Sequence, residues 1–206
     1  MTLQEKYEES KITGILDVSE MRVTSLPCLP ESLRILLCYN NLLTTLPTLP
    51  SSLQVLDCYK NQLTYLPSLP NSLTHLVCSN NSLTDLPKLP ESLVKWWCAA
   101  NNLTALPDLP ITLTKLVCSE NKLTSLPYLP DSLTKLVCGH NQLTSLPELP
   151  NKLTDVWCSK NALTILPNLP DTLETLYCSQ NFLKTLPVLP LSLHYTYYVG
   201  NDLISV

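Results

Sequence analysis

All 18 prolines of this 206-residue chain stand in two columns, at positions 27 to 187 and 30 to 190, each advancing in steps of 20. Proline fixes φ at about −65° and has no N–H to give to a helix or a strand ladder. Two prolines three residues apart, recurring every 20 residues, exclude long helices and long strands alike. What remains is a short regular element followed by an extended return, repeated along the chain. A period of this kind decides the architecture before any local propensity does. Ten units start at residues 11, 31, 51, 71, 91, 111, 131, 151, 171 and 191, and none gains or loses a residue before the chain ends. A hydrophobic content of 45% excludes a disordered proline-rich chain, whose signature is low hydrophobicity.

The third unit, SSLQVLDCYKNQLTYLPSLP, shows the pattern LxxLxCxxNxL in Leu53, Leu56, Cys58, Asn61 and Leu63. This matches the leucine-rich-repeat pattern, with Cys at one apolar position. Leu56 and Cys58 are two apart and both point inward from a short strand, while residues 55, 57 and 59 point outward. Asn61 ends the strand, where its amide can bond backbone groups freed by the turn, in its own coil and the neighbouring one. Nine units carry this Asn, from Asn41 to Asn201. In LTxLPxLP, residues three apart share an edge of a polyproline II helix. Leu66 and Leu69 take the inward edge, Pro67 and Pro70 the next, and Ser68 the third. The third column varies freely (Cys28, Thr48, Lys88, Asp108, Tyr128, Glu148), as solvent exposure predicts. The expected fold is a right-handed leucine-rich-repeat solenoid with short parallel strands on its concave face, a polyproline II convex side and little helix. Ten strands at roughly 4.8 Å spacing make a surface about 45–50 Å long. Residues 1–10 are expected to form a short N-terminal cap, and residues 11–206 a single domain of ten repeats.

The LPxLP-containing 20-residue repeat resembles the LPX subclass of leucine-rich repeats in IpaH- and YopM-type bacterial effectors. The resemblance covers about 190 of the 206 residues. It implies binding of host proteins by the repeats. Some family members add a C-terminal ubiquitin-ligase domain with a catalytic Cys. This sequence ends inside its tenth repeat, so repeats without that domain are expected. The strand Cys departs from the Leu, Val or Ala more usual in that family.

Cys38, Cys58, Cys78, Cys98, Cys118, Cys138, Cys158 and Cys178 form one inward ladder, with Val18 and Tyr198 at its two ends. In-register parallel strands and an odd total of nine cysteines argue against a disulfide framework. Uniform spacing of 20, with no CxxC and no converging His, argues against zinc. The reading is of small buried hydrophobes, with reduced thiols that suit the cytosol. An effector of this type would instead be secreted into a host cell without a cleavable signal peptide. Cys28 stands apart in the exposed column, without a sequence partner.

Function is expected in the outward strand columns, where repeat proteins vary. One column reads Leu37, Asp57, Val77, Trp97, Val117, Val137, Trp157, Tyr177, Tyr197, eight of nine apolar or aromatic. An exposed row of this kind marks an interaction surface, and Trp and Tyr dominate binding energy most often. The adjacent column contains His75, Lys95, Lys115 and Lys135 on successive strands, which favours an acidic partner. A third column is small, Ser79, Ala99, Ser119, Gly139, Ser159, Ser179, and leaves room for a partner to approach. Two competing readings stand beside this one: β-branched and aromatic residues also stabilise sheets by cross-strand packing, and lysines also solvate a face.

The expectation is a protein-binding module that recognises another protein on its concave face. Self-association end to end through His194-Tyr195-Thr196-Tyr197-Tyr198-Val199 is the alternative, since an edge strand pairs with another molecule unless its neighbours close the core. Carbohydrate stacking on Trp97, Trp157, Tyr177 and Tyr197 is a weaker alternative. Neither a Gly-rich phosphate loop nor a metal-ligand cluster nor a nucleophile–base pair is found, so no enzyme and no cofactor are expected. The net charge of −4 gives no footprint for nucleic acid or an anionic membrane. No stretch is apolar for long enough to span a bilayer, and residues 1–10 lack the apolar segment of a signal peptide.

Overall fold

A computed structural model describes residues 2–204. Met1 of the expected cap and Ser205 and Val206 of the tenth repeat lie outside the described residues. The chain divides into two compact units, Met1–Asn102 and Leu103–Val206, although the 20-residue period runs through that boundary unbroken.

The first unit opens with a helix, α1 (Leu3–Thr13). Thr2 caps it: its hydroxyl accepts from the Glu5 N–H, and the Glu5 carboxylate accepts from the Thr2 N–H, a reciprocal capping box. Helix is therefore present three residues beyond the expected cap of 1–10. The first repeat unit begins inside it because Lys11–Thr13 contain no helix breaker, and Lys11 pairs with Glu8 one turn back. Gly14 stops the helix at φ 71°, and its N–H bonds the Ser10 carbonyl. The Gly14 carbonyl then accepts from the N–H groups of Arg34 and Ile35. A Cβ on Gly14 would come within 3.1 Å of the Ser32 carbonyl oxygen.

Five strands follow in the first unit: β1 (Ile15–Asp17), β2 (Ile35–Leu37), β3 (Val55–Asp57), β4 (His75–Val77) and β5 (Lys95–Trp97). They are parallel and in register, each residue opposite the one 20 positions on. The second unit has β6 (Lys115–Val117), β7 (Lys135–Val137), β8 (Asp155–Trp157), β9 (Thr175–Tyr177) and β10 (Tyr195–Tyr197), paired in the same way. Each strand is three residues long, so the ladder Cys lies just past its end rather than inside it. The Cys N–H still bonds across to the next coil, as Cys58 does to the Val77 carbonyl at 2.8 Å.

The core is the predicted set of columns. Leu33, Leu36, Cys38 and Leu43, with their equivalents up to Leu173, Leu176, Cys178 and Leu183, are fully buried. The LPxLP segments carry neither helix nor ladder, and their third column is exposed at every repeat from Cys28 to Val188. The second proline of each pair starts a turn, its carbonyl accepting from the Leu N–H three residues on, as in Leu33 to Pro30 at 3.0 Å. Among the described residues, no helix is long and apolar enough to cross a membrane.

The Asn column works as expected. Asn61 donates to the Cys38 carbonyl of one coil and the Cys58 carbonyl of its own, and its oxygen accepts from the Leu43 N–H at 3.0 Å. Repetition of this pattern makes a polar ladder beside the apolar one. A second polar ladder, at the second position of the unit, escapes the sequence reading: the Ser52, Ser72, Ser92, Ser132 and Ser192 hydroxyls each donate to the Leu carbonyl of the preceding coil at 2.6–2.7 Å. Thr172 does the same at 2.9 Å.

A left-handed turn also recurs, one residue before the Asn. Asn40, Lys60, Asn80, Ala100, Glu120, His140, Lys160 and Gln180 all have φ between 52° and 58°. Of these residue types, only Asn and, less strongly, His are suited to that conformation. The core and its two ladders override local preference at the other positions.

Candidate functional site

The cysteine ladder is chemically quiet. All eight members are fully buried, and no disulfide joins the described cysteines. Burial pushes the Cys38, Cys78 and Cys118 thiols up to about 12 and Cys178 up to about 11. Cys58, Cys138 and Cys158 rise well above the ordinary range, first by burial and then by neighbouring thiols. A thiol held neutral is neither a nucleophile nor a metal ligand. Among the described residues, no group of three or more His, Cys, Asp or Glu is placed to hold a metal ion.

Trp96 occupies the core Leu column and is fully buried. Its indole N–H finds no acceptor within hydrogen-bond distance, though it lies near enough to Cys78 to oppose the burial-driven rise of that thiol. Trp96 is packing, as the alternation requires, and Trp97 beside it faces outward.

The outward columns form the concave surface of each unit. In the first unit the central column reads Asp17, Leu37, Asp57, Val77 and Trp97 along register-paired strands. Leu37, Val77 and Trp97 are half-buried by cross-strand neighbours. Asp57 interrupts them. Burial raises its pKa, and its carboxylate accepts from the Tyr59 N–H. His75 and Lys95 lie opposite each other. Burial, and secondly the Lys95 charge, lowers the His75 pKa. The Thr74 hydroxyl donates to the Gln54 carbonyl, so its oxygen accepts from His75 Nδ1.

In the second unit the central column reads Val117, Val137, Trp157, Tyr177 and Tyr197. The rings of Trp157 and Tyr177 meet edge to face with centroids 5.1 Å apart, and those of Tyr177 and Tyr197 stack at 5.0 Å. Trp157 is 39% exposed, and Tyr197 is exposed beside it. The Lys135 ammonium sits 4.6 Å from the centre of the Trp157 ring while pairing with Asp155 at 3.5 Å. Lys115 is aligned with Lys135 on the adjacent strand. A concavity of about 400 Å³ is lined by Val137, Trp157 and Tyr177 together with Ser119, Gly139, Ser159, Glu120 and His140.

The fully exposed row expected from alternation is in fact half-buried for Leu37, Val77, Trp97, Val117, Val137 and Tyr177, because each side chain lies against its register neighbour. The third outward column also differs from expectation. Ser79 and Gly139 are buried. The Ser79 hydroxyl accepts from the Ala99 N–H and Ser159 from the Ser179 N–H. A Cβ on Gly139 would sit 2.9 Å from the Ser159 carbonyl oxygen. Small residues there admit the neighbouring coil, and around Gly139 the column also lines the concavity, with Ser119 and Ser159 partly exposed. At the last coil, Tyr198 does not close the core: Leu191, Tyr195, Tyr197, Tyr198 and Val199 are all exposed.

No curated protein sequence matches the chain. The family model "Leucine Rich repeats (2 copies)" matches residues 51–91. Among solved structures, YopM, a leucine-rich effector protein from Yersinia pestis, superposes with a TM-score of 0.87 at 32% identity, covering 97% of this chain and 64% of that one. The chain thus spans less than two thirds of that relative's length. The functional domain of InlJ from Listeria monocytogenes, which includes a cysteine ladder, matches with a TM-score of 0.59 at 25% identity, over 94% of this chain and 55% of that one. The leucine-rich-repeat domain of a Shigella effector matches with a TM-score of 0.73 at 32% identity, covering 77% of this chain and 75% of that one. With its ladders of Leu and Asn repeating every 20 residues, the chain belongs to the leucine-rich-repeat proteins, and its repeats are similar to those of bacterial effectors.

Proposed function

We propose that the chain binds another protein on a concave strand face, and that the face of the Leu103–Val206 unit carries most of the affinity. Leucine-rich-repeat solenoids serve in general as protein-binding scaffolds and are typically non-catalytic. The observation that supports the finer reading is the ring row of Trp157, Tyr177 and Tyr197 beside an open concavity. Three adjoining aromatic rings, partly exposed and flanked by a cation, are the usual make-up of an energetic anchor. An effector-type role in a reducing compartment belongs to the same proposal, on the strength of the likeness to YopM and the Shigella effector and of the cysteines' freedom from disulfides. A pull-down from a eukaryotic lysate tests it, with wild type beside a Trp97→Ala/Trp157→Ala/Lys115→Glu variant. The reading expects a protein retained by wild type alone, at matched melting temperatures. Equal retention by both chains would defeat it.

A second reading is favoured by the exposed apolar residues of the last coil, Leu191, Tyr195, Tyr198 and Val199. An apolar edge of this kind is a surface for a second copy. Sedimentation at high protein concentration is then expected to give a dimer mass, and a monomer mass would remove this reading.

A further inference from the structure

The concave face of the second unit has a direction. Lys115 and Lys135 stand in register at the start of β6 and β7. Asp155 answers only one of them: it lies 3.5 Å from Lys135 and also accepts from the Thr154 hydroxyl. Among the described residues, Lys115 has no carboxylate within ion-pair distance. A lysine of this column thus takes a carboxylate from the adjacent strand at Lys135, whereas the register partner of Lys115 on β7 is another lysine. Beyond the other end of β6 the charge is reversed at Glu120, which lines the concavity together with His140. Trp157 and Tyr177 line the same concavity, and Trp157 also lies against Lys135.

We propose that this face takes an extended, amphiphilic peptide segment of a protein partner, laid along the strands with three parts in a fixed order. A carboxylate sits against Lys115 and Lys135. An apolar or aromatic side chain fills the concavity beside Trp157. A cation or amide donor meets Glu120. Lys115 and Glu120 are five residues apart, at most about 17 Å of extended chain, which a segment of five to six residues spans. The opposed charges set polarity, since the reversed peptide places like charges together at both ends.

This inference rests on the concave face being a protein-binding surface, and the test separates the two. A phage-displayed library of random twelve-residue peptides is selected on the purified full chain, and the enriched sequences are made as labelled synthetic peptides. The expected consensus is an Asp or Glu, then a Trp, Phe or Leu, then a Lys, Arg, Asn or Gln, within six residues. Binding is expected to fall on the order of tenfold in Lys115→Glu and again in Glu120→Lys. The double variant is expected to prefer the peptide with its two charges exchanged. Melting temperatures of both single variants stay close to the wild-type value, because Glu120 is exposed and the half-buried Lys115 gives up no ion pair. Enriched peptides that need Trp157 but ignore both charge reversals would leave the concave-face reading standing and overturn the charge order. Enriched peptides indifferent to Trp157→Ala, or no enrichment over a blank surface, would overturn both.

Discussion

The two units of this chain repeat the same interior pattern and differ on their strand faces. Both stack Leu, Cys and Asn columns at identical spacing, with the same carbonyls met by the same amides. Outward, the Met1–Asn102 unit alternates acids with aliphatic groups, Asp17, Leu37, Asp57, Val77, before a single Trp97, whereas the Leu103–Val206 unit runs from valine into three touching aromatic rings. Inward columns that must fit a neighbouring coil on both sides are held constant by packing. Outward columns are constrained only by their strand neighbours, so they are free to differ, and there the units part company. The comparison separates what makes this chain fold from what it presents to others.

The largest test is alkaline. The ladder thiols are held neutral by burial, with Cys38, Cys78 and Cys118 at about 12 and Cys178 at about 11, against an ordinary 9.0. A raised native pKa contributes stability in full below pH 9 and loses it as pH climbs toward the native value. Each thiol therefore removes up to about 1.4 kcal/mol per pH unit over that window. Thermal melts between pH 8 and 11 are expected to show a steep cooperative loss, moderated in Cys118→Val. A flat profile to pH 11 would mean the ladder is wetter than the structure shows. Each unit holds four of the ladder thiols, so the loss is expected in both.

Next in size are the inward columns. Trp96→Ala empties a large buried site and is expected to cost about 3–5 kcal/mol. Trp96→Phe should be much milder, because it also removes an unpaired indole N–H. Asn61→Ala and Asn161→Ala should each cost about 3 kcal/mol, as an amide that bridges two coils leaves backbone groups unpaired. Equal losses from these two would sharpen the comparison; a large inequality would break it. Denaturant melts at constant slope supply the numbers. Outward substitutions should be small by the same measure. Trp157→Ala, at a position 39% exposed, is expected to cost below about 1.5 kcal/mol while removing an anchor. If Trp157→Ala instead destabilises as much as Trp96→Ala, the ring row is sheet packing and the contrast fails.

The smallest expected effect is a gain. Lys60 holds φ at 54° beside its ladder Asn. Lys60→Asn places a residue more tolerant of that turn there and should add about 0.5 kcal/mol, read as a slight rise in melting temperature.

Nearly all the scaffold could be read from the chain, because a rigid 20-residue period leaves few folds open. The proline columns removed helix, the Leu–Cys spacing of two gave the inward strand face, and the single Asn gave the turn. The hydroxyl ladder at Ser52 and its equivalents was missed, since Ser at a turn has many uses and only the neighbouring coil reveals its acceptor. The left-handed turn was hidden for the same reason: Lys60, Ala100 and Glu120 carry no local signal for it. Helix beyond residue 10 could be inferred only from the capping partners, Thr2 with Glu5 and then Gly14. For the face, the sequence named the columns but not their crowding. Half-burial of Val137 and Tyr177, the pairing of Lys135 with Asp155, and the opening at Gly139 depend on which side chain lies beside which across the strands.

The most direct test of the central claim is hydroxyl-radical footprinting of the chain alone and with a protein retained in the pull-down. Oxidation of Trp157, Tyr177 and Tyr197 should fall in the complex, while Tyr65 and Tyr128, exposed away from the strand face, should be unchanged and serve as internal controls. Protection of Tyr65 or Tyr128 with Trp157 unaffected would place the partner off the concave surface and contradict the account.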